Sequence, residues 1–208
     1  MNDMAGEVGH VVYAARMATF LGGKVDHVSF WAGTLFPDIR HLGVTSRKRS
    51  HEGELSLSGL VGQNDFMTGM KVHAWIDDTR SKFLESINIK EELPWHPFVP
   101  HALKLVEDEV LYDKYDDWNL IYRALNRVYE DEMRLVNNEE KIVKWHAILQ
   151  EYFKEKPSAR SRLQLSHDIG LSETSAEEIN RVVDELKSEP KTEQIIDKFI
   201  LHLEGLLD

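Results

Sequence analysis

Apolar positions recur at helical spacing along most of the chain. Val8, Val11, Val12, Ala15, Ala18 and Leu21 predict a buried helix from about Glu7 to the Gly22-Gly23 pair. A second, shorter helix runs from about Val25 through Val28, Phe30, Trp31 and Leu35. Pro37 ends it, because proline disfavours a helical residue before it. Residues 39–65 are rich in glycine, serine, threonine and asparagine and read as a long loop holding at most a turn of helix. Periodicity returns at Asp65 through Phe66, Met70, Ala74, Ile76 and Phe83. The segment from Trp95 to Pro100 is irregular, and three helices follow over roughly 101–112, 115–136 and 138–154.

Composition changes after Pro157. Residues 172–208 hold ten acids and four bases, and two apolar stripes are separated by Pro190. Ile179, Val182, Val183 and Leu186 make the first stripe; Ile196, Phe199, Ile200, Leu203 and Leu207 make the second. Ser172 suits a helix N-cap, so a helical hairpin is expected. The chain contains no 20–50-residue repeat and no strand-length alternation of polar and apolar residues. The expected fold is all-α: a multi-helix domain over residues 1–156 and an acidic helical extension over 157–208. The extension either packs on that domain or mediates association, homodimerisation included.

Composition narrows the chemistry. The 208 residues include no cysteine, which excludes disulfides, thiolate zinc sites, iron–sulfur clusters and a cysteine nucleophile. Any metal must be held by histidine and carboxylate, and ten histidines are present. A formal net charge of −11 argues against a face for duplex nucleic acid. No apolar run reaches 18 residues, so no transmembrane segment is expected. The stretch Met1–Gly9 carries two acids and no Lys or Arg, unlike a secretory signal, so the expected location is the cytoplasm.

His73 and Asp77 stand four residues apart, one turn along a helix, where an imidazole and a carboxylate can share one cation. Asp38 follows Pro37 at a helix end, and His51 closes the loop that Asp38 opens. His10 sits in a helix that is apolar nearly all round, and a buried imidazole needs partners on its ring nitrogens. Two imidazoles and two carboxylates suit zinc, and also manganese or iron, better than calcium, which prefers oxygen ligands. Arg47, Lys48 and Arg49 form an island of positive charge just before His51, either a solvated loop or a lid that gathers a phosphate-ester substrate. Trp31, Trp75, Trp95 and Trp145 read as core area, although an exposed one could stack on a base or a lipid head group.

These residues fall in four segments: Gly9-His10, Ala32-Gly33 with Pro37-Asp38-Ile39, His51, and Gly69 with His73 and Asp77. In that combination, which covers about residues 5–80, the chain resembles the zinc-dependent phospholipase C superfamily, to which the single-strand nucleases also belong. The resemblance implies an all-helical metal-dependent phosphoesterase. Asp38, His51, His73 and Asp77 would gather around one metal, His10 would hold a second, and Asp77 would bridge. Asp38 and Asp77 would be the catalytic carboxylates. The family adds a His-x-x-x-Glu pair on a later helix; here His146 is followed by Gln150, and His27, His41, His96 and His101 are the available substitutes.

Two other readings compete. His167-Asp168 resembles the dyad of HD-type phosphohydrolases, with His146 as an earlier ligand and Asp184 or Asp197 as a later one. A non-enzymatic domain that keeps a structural metal and binds a partner through its C-terminal hairpin is the other. An open coordination position separates catalysis from structure.

Overall fold

The computed structural model describes residues 5–22, 24–46 and 56–207. Among them every regular element is helical and none is a strand. The all-α expectation therefore holds for the described residues. Ten helices carry the architecture: α1 Glu7–Arg16, α2 Val28–Leu35, α3 Asp65–Ser86, α4 Val99–Leu111, α5 Trp118–Ala124, α6 Glu130–Val136, α7 Glu139–Tyr152, α8 Ala159–Asp168, α9 Glu173–Lys187 and α10 Pro190–Leu207. A 3₁₀ segment, Pro37–Leu42, continues from the end of α2.

The starts of several helices are encoded locally. The Asn64 side chain accepts from the Met67 N–H at 2.8 Å to open α3, and Asn138 accepts from Lys141 at 3.1 Å to open α7. Ser172 caps α9 as its sequence position suggests. Two boundaries differ from the periodic pattern. The first helix stops at Arg16, where Met17 leaves the helical backbone and buries its side chain; a further turn, Ala18–Leu21, then runs to Gly22 in the left-handed region. The helix expected over 115–136 is two helices. Tyr129 is extended, and its N–H donates to Glu132 at 2.8 Å, which starts α6 afresh. Both halves keep apolar residues on one face, so periodicity alone does not register the break.

The crossing of α2 and α3 sets the centre of the molecule. Two glycines meet there. A Cβ on Gly33 would stand 2.7 Å from the Phe66 carbonyl carbon, and one on Gly69 would stand 2.6 Å from the Thr34 amide nitrogen. Both positions are mid-helix, where glycine costs about 1 kcal/mol relative to alanine, so the close backbone approach explains the residue type. The last carbonyls of α2 cannot be satisfied within the helix. The Trp145 indole N–H donates to the Leu35 carbonyl at 3.0 Å, and the His73 ring pairs with the Thr34 carbonyl at 2.9 Å.

One continuous apolar core includes Val11, Trp31, Ile76, Val106 and Leu149 together with Val183, Phe199 and Leu203 of the C-terminal helices. In the described structure α9 lies along α4, and α10 contacts α1, α3 and α4. Trp31, Trp75 and Trp145 are buried, in keeping with a packing role, whereas Trp95 is 72% exposed.

The crossing makes a direct prediction. Gly69→Ala should lower unfolding stability by ~2 kcal/mol or more, because overpacking of 1–3 kcal/mol falls here on backbone that cannot swing aside, and outweighs the gain in helix propensity. Chemical denaturation checks it. Unchanged or increased stability would contradict the close-approach account.

Candidate metal centre

Three elements converge behind the glycine crossing. α1 contributes His10, the Pro37–Leu42 segment contributes Asp38, and one face of α3 contributes His73 and Asp77. All four side chains are buried. His10, Asp38 and His73 each offer a ligand atom within 4.8 Å of the others, so this buried cluster could hold a metal ion. Donors ~2.1 Å from one tetrahedral ion lie ~3.4 Å apart, so the set needs to close by about an ångström to share one ion.

Asp77 adjoins both imidazoles. Its Oδ1 is 3.3 Å from His10 Nε2, and its Oδ2 is 3.7 Å from His73 Nε2. Donors sharing one tetrahedral ion lie ~3.4 Å apart, so this spacing also suits a ligand. Asp77 Oδ1 additionally accepts from the Ala5 N–H at 3.0 Å. The two imidazole rings stack with centroids 3.7 Å apart and planes inclined by 12°.

The donor chemistry fits a cation. A backbone carbonyl only accepts, so His73 Nδ1 carries the hydrogen toward Thr34 and a neutral ring presents Nε2 as a lone pair on the cluster side. Among the described residues neither ring nitrogen of His10, nor Asp38 Oδ2, makes a hydrogen bond. Buried polar atoms in native structures are nearly always paired, so their gathering at one point marks a site that expects a further group. Arg40 donates to Asp38 Oδ1 at 2.7 Å and leaves Oδ2 for the cluster. Burial would raise the Asp38 carboxyl, but the facing His73, Arg40 and His41 side chains outweigh it and hold the group well below the usual carboxylate range. Asp38 is therefore an anion at neutral pH.

Three residues near the cluster were not singled out as site residues from sequence. Glu7 lies one turn before His10 on α1, a spacing visible in the sequence, and it is buried with Oε2 unbonded among the described residues. Burial, and then the Asp38 charge, push it well above the ordinary value. Asp108 on α4 accepts from the Gly9 N–H at 2.9 Å and from the Tyr152 hydroxyl at 3.0 Å. Gly6 packs against it, and a Cβ there would force the Asp108 carboxyl to shift. Burial dominates and raises Asp108 to about 7. The third is Thr34, which acts through its carbonyl and so has no signature in residue type.

Of the four substitute histidines, His41 comes close, with Nε2 3.7 Å from Asp38 Oδ1. Burial lowers its pKa to about 4 against the pull of Asp38, helped by the charges of Lys104, Arg40 and His101. His101 lines a cavity beside the cluster, whereas His27 pairs with Asp65 at 3.8 Å and His96 with Glu178 at 3.2 Å. His146 is bound to Glu132 at 2.8 Å and is spent within the α6–α7 packing. His167 and Asp168 end α8, where Asp168 accepts from Gln164, and they join no metal-competent cluster among the described residues. Asp78 faces solvent and pairs with Lys82 at 2.8 Å. His51 and the Arg47, Lys48 and Arg49 island lie outside the described residues.

Asp108 gives a pH signature. Its raised pKa means the folded state binds a proton that the unfolded chain has lost, so its favourable contribution is complete below about pH 4 and is lost as pH rises to about 7. At 1.36 kcal/mol per unit the full effect is ~4 kcal/mol, with Glu7 acting in the same direction. Asp108→Asn should flatten the fall in unfolding free energy between pH 4 and pH 7. A variant whose stability falls as steeply as the native chain would show that Asp108 is not the titrating group.

No protein-family model, curated protein or solved structure matches this chain, and the case for the centre accordingly rests on its geometry and donor chemistry.

Proposed function

We propose that the chain is a metal-dependent hydrolase acting on phosphate esters, in keeping with its resemblance to the zinc-dependent phospholipase C superfamily. The observation that carries this reading is a buried three-donor cluster, His10–Asp38–His73, whose chain neighbours Glu7 and His41 line a cavity. Structural zinc sites close with four protein ligands, whereas catalytic sites keep a position for water or substrate. With His10, Asp38 and His73 as the ligands and Asp77 held beside them, one position is left for water or substrate, which is the second type.

Two imidazoles with carboxylate oxygens suit zinc first, and manganese or iron next. Such an ion supplies a Lewis acid and lowers the pKa of water it binds to roughly 7. The chain's own residues do the remaining work. The Thr34 carbonyl fixes the tautomer of His73, Arg40 orients Asp38, and the Ala5 N–H orients Asp77 between the two rings. Asp38, which is ionised, and Asp77 are the carboxylates that would accept a proton from an attacking water. The cations Arg40 and Lys104 favour an anionic substrate over a neutral one.

A phosphodiester panel with bis(p-nitrophenyl) phosphate, run on chain reconstituted with zinc, manganese or iron, tests the reading. Turnover should require metal, and Asp38→Asn should reduce it ~100-fold or more. Asp77→Asn should weaken metal affinity ~10–100-fold, as loss of a group that orients ligands does. Stoichiometric metal with no turnover on the panel would instead identify a structural centre.

A further inference from the structure

The cavity beside the cluster has a volume of about 230 Å³ and two unlike sides. The side formed by α1, the Pro37–Leu42 segment and α4 carries Glu7, His41 and Lys104. The side formed by α8, the turn after it and α9 is apolar, with Leu165, Ile169, Leu171 and Ile179. Glu7 is one turn from His10, and His41 is in reach of Asp38, so the polar side adjoins the metal-competent cluster.

Lys104 is the informative residue. It is half-buried and makes no hydrogen bond or ion pair among the described residues. It lines the same cavity as Glu7, His41 and Asp108 without contacting any of them. An ammonium that lines a cavity without a protein partner can pair with an anion inside it. Glu7 Oε2, nine-tenths buried on the same side, is also without a hydrogen bond among the described residues.

Size restricts the occupant. At ~30 Å³ per water-sized unit the cavity encloses about eight non-hydrogen atoms, the size of a phosphoryl group with an arm of ~four carbons. We propose that this cavity binds the monoester of a short alkyl chain, its phosphoryl group between Lys104 and the cluster and its alkyl arm against Leu165, Ile169, Leu171 and Ile179. The C-terminal helices then form the wall that measures the arm. This rests on the phosphoesterase reading for its chemistry, while the binding itself can be tested without turnover.

Titration calorimetry of the full chain, metal-free and zinc-loaded, against the series from methylphosphonate to octylphosphonate provides the test, with alkyl carboxylates of equal length as the comparison. Affinity should rise by about fourfold per methylene, the transfer value, up to roughly butyl and then stop rising or fall. Lys104→Met, which keeps the apolar stem, should weaken every phosphonate at least ~10-fold with zinc affinity unchanged, as loss of a charge-assisted contact does. Leu171→Trp, at a residue 39% exposed and therefore tolerant of size, should move the optimum to a shorter arm. A profile flat in chain length, carboxylates binding as tightly as phosphonates, or no response to either substitution in variants whose thermal melts match the native chain would each overturn the assignment. Full phosphoesterase turnover with a flat length profile would sink the pocket alone. The predicted length profile in a chain that takes up no metal would sink the hydrolase reading and leave the pocket standing.

Discussion

The centre depends on how closely α2 and α3 cross. Gly33 and Gly69 bring the two backbones within a distance that no side chain would tolerate. Because of that approach, the Thr34 carbonyl reaches His73 Nδ1, and because α2 ends there, Asp38 follows within a turn. The same crossing sets His73 against His10 and places Asp77 beneath both rings. A wider crossing would leave the Thr34 carbonyl unpaired and the imidazole free to rotate. The glycines of these segments therefore belong to the site as much as its ligands do, although none of them touches it.

Buried carboxylates are the second organising feature, because burying an ion costs several kcal/mol unless it is paired. Most are answered within the chain. Glu107 accepts from Arg80 at 2.8 Å and from the Tyr13 hydroxyl. Glu132 is held by His146 and the Tyr129 N–H, and Asp108 by Gly9 and Tyr152. The exceptions are one oxygen of Asp38 and one of Glu7, and they sit with the unbonded nitrogens of His10 on the same side of the molecule. Where other acids are fully answered by Arg, His or an N–H, these two each keep one oxygen without a hydrogen bond among the described residues. A divalent ion and a bound ligand carry the charge and donors that would answer them.

Much of this was legible in the sequence for reasons that can be stated. Helical period identified the all-α fold, and the spacing of His73 and Asp77 put both on one face of α3. A proline followed by Asp38 marked a carboxylate at a helix end. What was not legible depended on tertiary contact. Asp108 lies in an ordinary amphipathic helix and becomes part of the site only because Gly6 and Gly9 pack against it. His146 has the residue type of a ligand but faces Glu132. The 157–208 extension showed an apolar face but not its neighbour; in the structure α9 meets α4, and the turn before it lines the cavity. Trp95 read as core from its type, yet irregular backbone between α3 and α4 leaves it at the surface.

The claim that His10, Asp38 and His73 form one metal centre is tested most directly by metal analysis of chain purified without a metal-affinity column, combined with X-ray absorption at the edge of the metal found. The account predicts at least one transition-metal ion per chain, with nitrogen and oxygen neighbours at ~2.0–2.2 Å and an imidazole signal. His73→Ala, Asp38→Ala and His10→Ala should each lose that ion. A chain that takes up no divalent metal, or one whose metal content is unchanged in all three variants, would contradict it.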